Sequence, residues 1–268
     1  MKYCSINGMQ QTEIAVTDRG LAYGDGLFTT AKVIDGQVIL LDKHVNRLIE
    51  GCEHLGIASP TRNYLAEQMK RAATGFILAC IKVVITTGSG GRGYSRGGLS
   101  ENAMQVIVMV NDFPTNYHTL RETGISLGNS KKIISSSPML AGIKHLNRLE
   151  QVLLRAELDA SLVDDLVVTN EQSLVIETTC ANIFYWRDEQ LFTPDLMSSG
   201  VNGIIRQEIL KYLPSTRVVK TSMEDLHLAQ EVFICNSLMG IMPVNTYNEH
   251  QLKRINTLKL QVQLYDVI

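Results

Sequence analysis

Three side chains of this 268-residue chain have the type and setting for covalent or ionic chemistry: Lys144, Glu177 and Arg47. Lys144 lies in Ala141-Gly142-Ile143-Lys144-His145-Leu146-Asn147, beside an apolar residue and just before a predicted helix start. The partial positive charge at a helix N-terminus disfavours a cation, and burial does the same, so both lower a lysine pKa. A lysine that must be neutral to form a Schiff base gains from that setting. The plainer reading is a surface lysine on a connecting loop, because most lysines are exposed. Glu177 ends the apolar run Leu174-Val175-Ile176. A carboxylate there is either buried and partnered, for instance by a protonated ring nitrogen, or it marks the solvent end of a strand. Arg47 falls on the flank of a predicted helix with His44 and Gly51, off the apolar stripe, which predicts exposure.

Two further segments could bind anions. Gly88-Ser89-Gly90-Gly91-Arg92-Gly93 has G-x-G-x-x-G spacing and follows a predicted strand. The dinucleotide-binding version needs a helix opening at its third glycine. Here Tyr94 to Asn102 carries Gly97 and Gly98 and leads into the next strand, leaving no room for a useful helix. The segment reads instead as a mobile glycine-rich loop presenting Arg92, Tyr94 and Arg96, or as a plain solvent loop. If functional, it is expected to gain order when a dianion ties it down. Val201-Asn202-Gly203-Ile204 opens a helix, whose N–H groups could hold a phosphate, as any helix start could.

The elements that must position these residues are mixed α and β. Val33 to Leu40 is a hairpin around Asp35-Gly36. Asp42 is expected to cap a helix with apolar positions Val45, Leu48, Ile49, Cys52 and Leu55, ended by Gly56. Ser59-Pro60 is expected to open a second helix. Strands are predicted over Ile81 to Thr87 and Met104 to Val110, and the turn-rich Asn111 to Asn116 reads as a boundary between domains at 1–112 and 117–268. Beyond it, strands are expected near Ile125–Leu127, Lys132–Ser135, Leu166–Thr169, Leu174–Thr178 and Ile183–Trp186. Asn147, with Glu150 three residues on, is expected to cap a helix to about Ala160. A helix from Gly203 to about Leu213 and strands at Arg217–Lys220 and Val232–Cys235 follow. Strands clustered between helices without a strict β-α-β rhythm argue α+β.

Composition narrows the classes. Hydrophobic residues make up 45% and charged residues 19%, which excludes disorder, and a net charge of −2 gives no footprint for nucleic acid. A small anionic ligand needs only a local cluster of cations and stays open. The five cysteines have no C-x-x-C pair, and the histidines no H-x-x-x-H pair, so no metal site is expected and the thiols read as reduced and cytoplasmic. The start lacks the apolar stretch of a signal peptide, and no run reaches the roughly 20 residues of a membrane span.

From Asp18-Arg19-Gly20-Leu21-Ala22-Tyr23-Gly24-Asp25-Gly26 to Met242-Pro243-Val244, the chain resembles the fold-type IV pyridoxal-phosphate enzymes, the group of branched-chain and D-amino-acid aminotransferases. His44-Val45-Asn46-Arg47-Leu48 is similar to that group's H-x-x-R-L helix, and Glu177 to Phe184 to its E-x-x-x-x-N-[IL]-F signature. The resemblance implies a two-domain α+β fold, pyridoxal 5'-phosphate as cofactor and a homodimer. It implies that Lys144, in the larger C-terminal domain, is the Schiff-base lysine and catalytic base. Glu177 would meet the pyridine nitrogen, while Arg47, Gly203, Ile204, Asn236 and Ser237 would hold the phosphate. Three segments, Gly24 to Thr30, Gly88 to Ser95 and Leu140 to Gln151, resemble the lyases of the group that release 4-aminobenzoate and pyruvate for folate synthesis. The transaminases commonly carry glutamate first in the pair where this chain has Thr29-Thr30. That likeness implies a small dianionic substrate met by Arg92, Tyr94, Thr29 and Thr30. The alternative is a branched-chain or D-amino-acid aminotransferase.

Overall fold

The computed structural model describes residues 1–100 and 102–264. These divide into two compact units, Met1–Pro114 with Lys144–Asn147, and Thr115–Ile143 with Arg148–Ile268. The first unit contains β1 (Tyr3–Ile6), α1 (Arg19–Tyr23), β2 (Gly26–Ile34), β3 (Gln37–Val38), α2 (Leu41–Leu55), α3 (Arg62–Ala73), β4 (Leu78–Thr86) and β5 (Gln105–Asp112). Its strands form an antiparallel sheet in the order β1-β5-β4-β2-β3. The period of two sorts β2 into two faces. Leu27, Thr29, Ala31 and Val33 are buried, and Phe28, Thr30, Lys32 and Ile34 are partly open. Val45, Leu48 and Cys52 of α2 and Leu65 and Met69 of α3 close the core over that buried face.

Local chemistry explains most boundaries, with three departures from expectation. Asp35 and Gly36 both have positive φ, as the tight hairpin turn requires. Leu40, with φ 54°, takes the cap position of α2, so Asp42 sits inside the first turn and not at the cap. Thr61, not Ser59, caps α3, its hydroxyl accepting from Tyr64 N at 3.2 Å. The buried arc of α2 is wider than the apolar stripe and takes in His44 and Gly51. A methyl group at Gly51 would run into the Leu27 side chain, so the flank expected to be exposed faces the sheet.

The second unit contains α4 (Tyr117–Thr123), β6 (Ile125–Ile133), α5 (Leu149–Asp159), β7 (Asp165–Thr169), β8 (Leu174–Thr178), β9 (Asn182–Arg187), β10 (Gln190–Pro194), α6 (Ile204–Tyr212), β11 (Arg217–Val219), β12 (Thr221–Ser222), α7 (Met223–His227), β13 (Glu231–Asn236), β14 (Gly240–Tyr247), β15 (His250–Gln251) and α8 (Ile255–Gln263). Its sheet runs β11-β10-β9-β13-β14-β6-β7-β8-β12, with β15 on β14. The pairs β10/β11, β14/β6 and β6/β7 are parallel, so the sheet is mixed. The stretch expected as two strands is the single strand β6. Arg148 stands at the cap of α5 without a side-chain capping bond. Glu150, expected in a capping box, accepts instead from Ser135 N at 3.0 Å.

The tetrapeptide Lys144–Asn147, expected within the second domain, groups with the first unit. Backbone pairing accounts for it. Phe28 N donates to Lys144 O at 2.9 Å, and Leu146 N donates to Gly26 O at 3.0 Å. Asn147, expected to cap α5, donates from Nδ2 to Gly24 O at 3.2 Å.

Candidate active site

In the first unit, the pairing with β2 lays Lys144 beside Phe28, with Nζ 4.6 Å from the ring centroid. Lys82 of β4 stands over the same ring, its Nζ 4.7 Å from the centroid. Burial lowers the pKa of Lys82 from its ordinary value. Thr30 pairs directly with Lys82 across the strands, on the Phe28 face. Lys82 was legible in principle, as a lone cation inside the apolar run of β4, but periodicity alone gives such a lysine no role. The two threonines do not act together. Thr29 is fully buried, and its hydroxyl is 2.6 Å from His44 Nδ1. Thr30 alone shares the open face. Burial, reinforced by the charge of Arg47, pushes the His44 pKa down to about 3. Arg47 is half-buried where exposure was expected; burial lowers its pKa to about 10, with Glu50 opposing. A guanidinium so placed is still charged at neutral pH.

In the second unit, the signature turn is a hydrogen-bonded block. Glu177, at the inner end of β8, is buried, and its Oε2 accepts from Val201 N at 3.0 Å. Asn182 donates from Nδ2 to Val201 O at 2.8 Å and accepts at Oδ1 from Gly203 N at 3.1 Å. A methyl group at Gly203 would collide with that Oδ1, so only glycine fits there. Asp165 secures the turn from beneath, accepting from Thr179 Oγ1 at 2.6 Å and Thr179 N at 3.2 Å. Asn236 donates to Cys180 O at 3.2 Å and accepts from Leu238 N and Met239 N. Its side chain therefore works as a turn lock, which leaves the backbone and Ser237 as that segment's means of meeting an anion. The approach to Lys144 is anchored to the same block. Gly142 N donates to Gly200 O at 2.9 Å, and Asn202 N donates to Gly142 O at 3.0 Å. Arg148 donates from Nη2 to Ile143 O at 2.6 Å, bridging the two ends of the tetrapeptide that carries Lys144. Burial lowers the Arg148 pKa, against the opposing charges of Glu177 and Glu150.

The start of α6 has the makings of an anion site. Its cap, Gly203, brings no side-chain acceptor, so the first-turn amides around Ile204 are not capped from within. Arg206, buried in that turn, donates to Asn202 Oδ1 at 3.0 Å and Pro194 O at 3.1 Å. Its Nε has no acceptor among the described residues. Within the second unit, a buried carboxylate suits a protonated ring nitrogen, and an uncapped helix start with a buried arginine suits a phosphate; within the first, a lysine amine suits an aldehyde.

The glycine-rich loop between β4 and β5 opens no helix. Arg92 and Tyr94 are exposed, Tyr94 by 90%. Arg96, expected to be presented with them, is occupied: it pairs with Asp25 and donates from Nη1 to Leu55 O and Gly56 O. The fastening expected from a ligand comes in part from the chain itself, because Arg19 donates to the carbonyls of Gly90, Gly93, Tyr94 and Ser95. Sequence reading assigned Arg19 nothing beyond its place in a motif.

Residues 26–247 match the family model described as amino-transferase class IV. The chain belongs to that family. The family's α+β fold is the one described above. Aminodeoxychorismate lyase of Vibrio harveyi is 40% identical over 245 residues, covering 90% of this chain and 89% of that protein. The crystal structure of 4-amino-4-deoxychorismate lyase from Pseudomonas aeruginosa superposes with a TM-score of 0.91 at 35% identity, covering 98% of each chain. Branched-chain aminotransferase of Thermoproteus uzoniensis gives a TM-score of 0.86 at 21% identity, covering 98% of this chain and 93% of that one, a likeness of fold alone.

Proposed function

We propose that this chain is a pyridoxal-phosphate-dependent lyase that converts 4-amino-4-deoxychorismate to 4-aminobenzoate and pyruvate. The observation that carries the reading is the 40% identity to a lyase of that name across 90% of the chain. The local setting agrees with it. Lys82 and Thr30 share the Phe28 face with Lys144, and a cation there suits a substrate that carries carboxylates. An aminotransferase of the same fold would share the cofactor residues, and product analysis separates the two.

When bound, pyridoxal phosphate supplies an electron sink for charge released at the substrate's nitrogen-bearing carbon. Lys144 would hold the cofactor through its amine, and that amine, when free, would take the proton from that carbon as a base. Lys144 is half-buried, with its amine beside the Phe28 ring that Lys82 also approaches. Glu177, buried and oriented by Val201 N, keeps the pyridine nitrogen protonated. Arg47, the first turn of α6 at Gly203 and Ile204, and the Asn236-Ser237 segment bind the phosphate. Arg92 and Tyr94 of the loop, with Thr30, orient the substrate; Thr29 supports them only through His44. Loss of the enolpyruvyl group as pyruvate leaves an aromatic ring, which drives the step forward.

The enzyme works as a homodimer in the cytoplasm. α5 supports the first point: Leu149, Val152 and Leu153 are 71%, 61% and 49% exposed on one helical face, an apolar stripe suited to a second copy. The cysteines, all unpaired and four of them buried, support the second. Among the described residues, no helix is long and apolar enough to cross a membrane. Incubating the holoenzyme with aminodeoxychorismate and following 4-aminobenzoate tests the assignment.

A further inference from the structure

Arg19 is a buried cation with an unusual set of partners. Its side chain is 4% exposed, and its Nε donates to Asp25 Oδ2 at 2.9 Å. Nη1 donates to Gly93 O at 2.9 Å, Ser95 O at 3.2 Å and Gly90 O at 3.4 Å, and Nη2 donates to Tyr94 O at 3.1 Å. The guanidinium also lies 4.9 Å from the Tyr23 ring centroid, and that ring is 5.5 Å from the Tyr94 ring. Asp25 serves two arginines, accepting from Arg19 and from Arg96, and from Thr87 Oγ1 at 3.0 Å. Burial pushes the Asp25 carboxyl up, but the hydrogen bonds from Arg96, Arg19 and Thr87 outweigh it and hold it below its ordinary value. Asp25 is shared between the buried Arg19 and the part-exposed Arg96, which leaves positive charge on Arg19 to be met by dipoles, and the loop carbonyls meet it.

The loop is shaped to this end. Carbonyls from Gly90, Gly93, Tyr94 and Ser95 can converge on one group only if the backbone folds back on itself. Gly90, Gly91 and Gly93 supply the positive φ values, 130°, 71° and 57°, that let it do so. A methyl group at Gly91 would crowd Ser95 O and come within 3.1 Å of Arg19 Nη1. Ser95 N donates to Arg92 O at 3.1 Å, closing the tip, so Arg92 is held between tied residues on both sides while its own side chain stays exposed.

We propose that Arg19, braced by Asp25, is a positioning residue: it gathers the loop carbonyls into one shape, presents Arg92 in place before substrate arrives, and so sets substrate affinity without touching substrate. The affinity part rests on the reading that Arg92 meets a substrate carboxylate. A lysine could not substitute, because a single ammonium cannot reach one carboxylate and four carbonyls spread around a planar fork.

The test compares the holoenzyme with Arg19→Lys, Gly91→Ala and Arg92→Ala, and with Arg19→Lys combined with Arg92→Ala. KM and kcat for aminodeoxychorismate are measured together with hydrogen exchange of amides 88–96. Arg19→Lys is expected to speed exchange in this loop and raise KM about tenfold or more, with kcat at saturation within about twofold. Gly91→Ala, which alters the loop's shape without changing any charge, is expected to do the same. In the Arg92→Ala background, Arg19→Lys should add little to KM. If Arg19→Lys and Gly91→Ala both exchange as wild type, Arg19 does not hold the loop and the proposal is overturned. A KM increase from Arg19→Lys that persists in full without Arg92 overturns the claim that Arg19 acts through Arg92. Loosened exchange with wild-type KM in Arg19→Lys and Arg92→Ala alike instead removes Arg92 from the substrate site and leaves the hold of Arg19 on the loop standing.

Discussion

In the proposed reaction Lys144 carries the cofactor and moves a proton, and its amine lies beside the Phe28 ring that Lys82 also approaches. Borohydride reduction of the holoenzyme followed by peptide mapping should find the adduct on Lys144, and an adduct on any other lysine contradicts the assignment. The proposed reaction gives Glu177 and Arg47 separate roles. Glu177→Gln should retain cofactor and lower kcat, because an amide cannot keep the ring nitrogen protonated. Arg47→Ala should mainly weaken cofactor binding, by up to about 3 kcal/mol for a lost charged hydrogen bond. Titration of cofactor into each apoprotein, with kcat measured at saturation, checks this. Equal losses of affinity with unchanged saturated rates would refute the division.

At the scale of elements, the alternation of β2 buries Thr29 and leaves Thr30 as the threonine proposed to meet substrate. Thr29→Val should leave kcat nearly intact and destabilise the fold by about 1–3 kcal/mol, because it strands the buried His44. Thr30→Val should do the opposite, which paired denaturation and kinetic measurements will reveal. His44 also gives α2 an acid weakness. Its folded pKa of about 3 lies below the ordinary histidine value, so the unfolded chain takes up the proton first. Its contribution is complete above about pH 6.5 and falls as the pH drops toward 3, at about 1.4 kcal/mol per pKa unit. His44→Gln should flatten that part of the stability curve; an unchanged acid slope would show that His44 does not titrate in this way. The helical period of α2 and its apolar positions were plain in the sequence, and they place Val45 and Leu48 correctly. They could not show that Gly51 lets α2 approach the sheet closely enough to bury His44 and half-bury Arg47. The motif letters around Glu177 were equally plain, yet Asp165, which locks that turn from another strand, carries no local signal. Arg19 and Lys82 were missed for the same reason: their partners are distant in sequence, and a lone cation in a turn or strand says nothing until the pairing of β4 with β2 is known.

For the whole molecule, the chain divides into two compact units, with Lys144 on a tetrapeptide that groups with the first although its neighbours on both sides group with the second. If two copies associate through α5, Val152→Glu combined with Leu153→Glu should halve the mass seen by light scattering, and a wild-type protein that is already monomeric would refute the dimer. The reaction itself admits a more direct test. Holoenzyme supplied with aminodeoxychorismate and no amino acceptor should yield 4-aminobenzoate and pyruvate in equal amounts over many turnovers. A protein that formed neither product, but moved amino groups between D-alanine or branched-chain amino acids and 2-oxo acids, would be an aminotransferase and would contradict the lyase assignment.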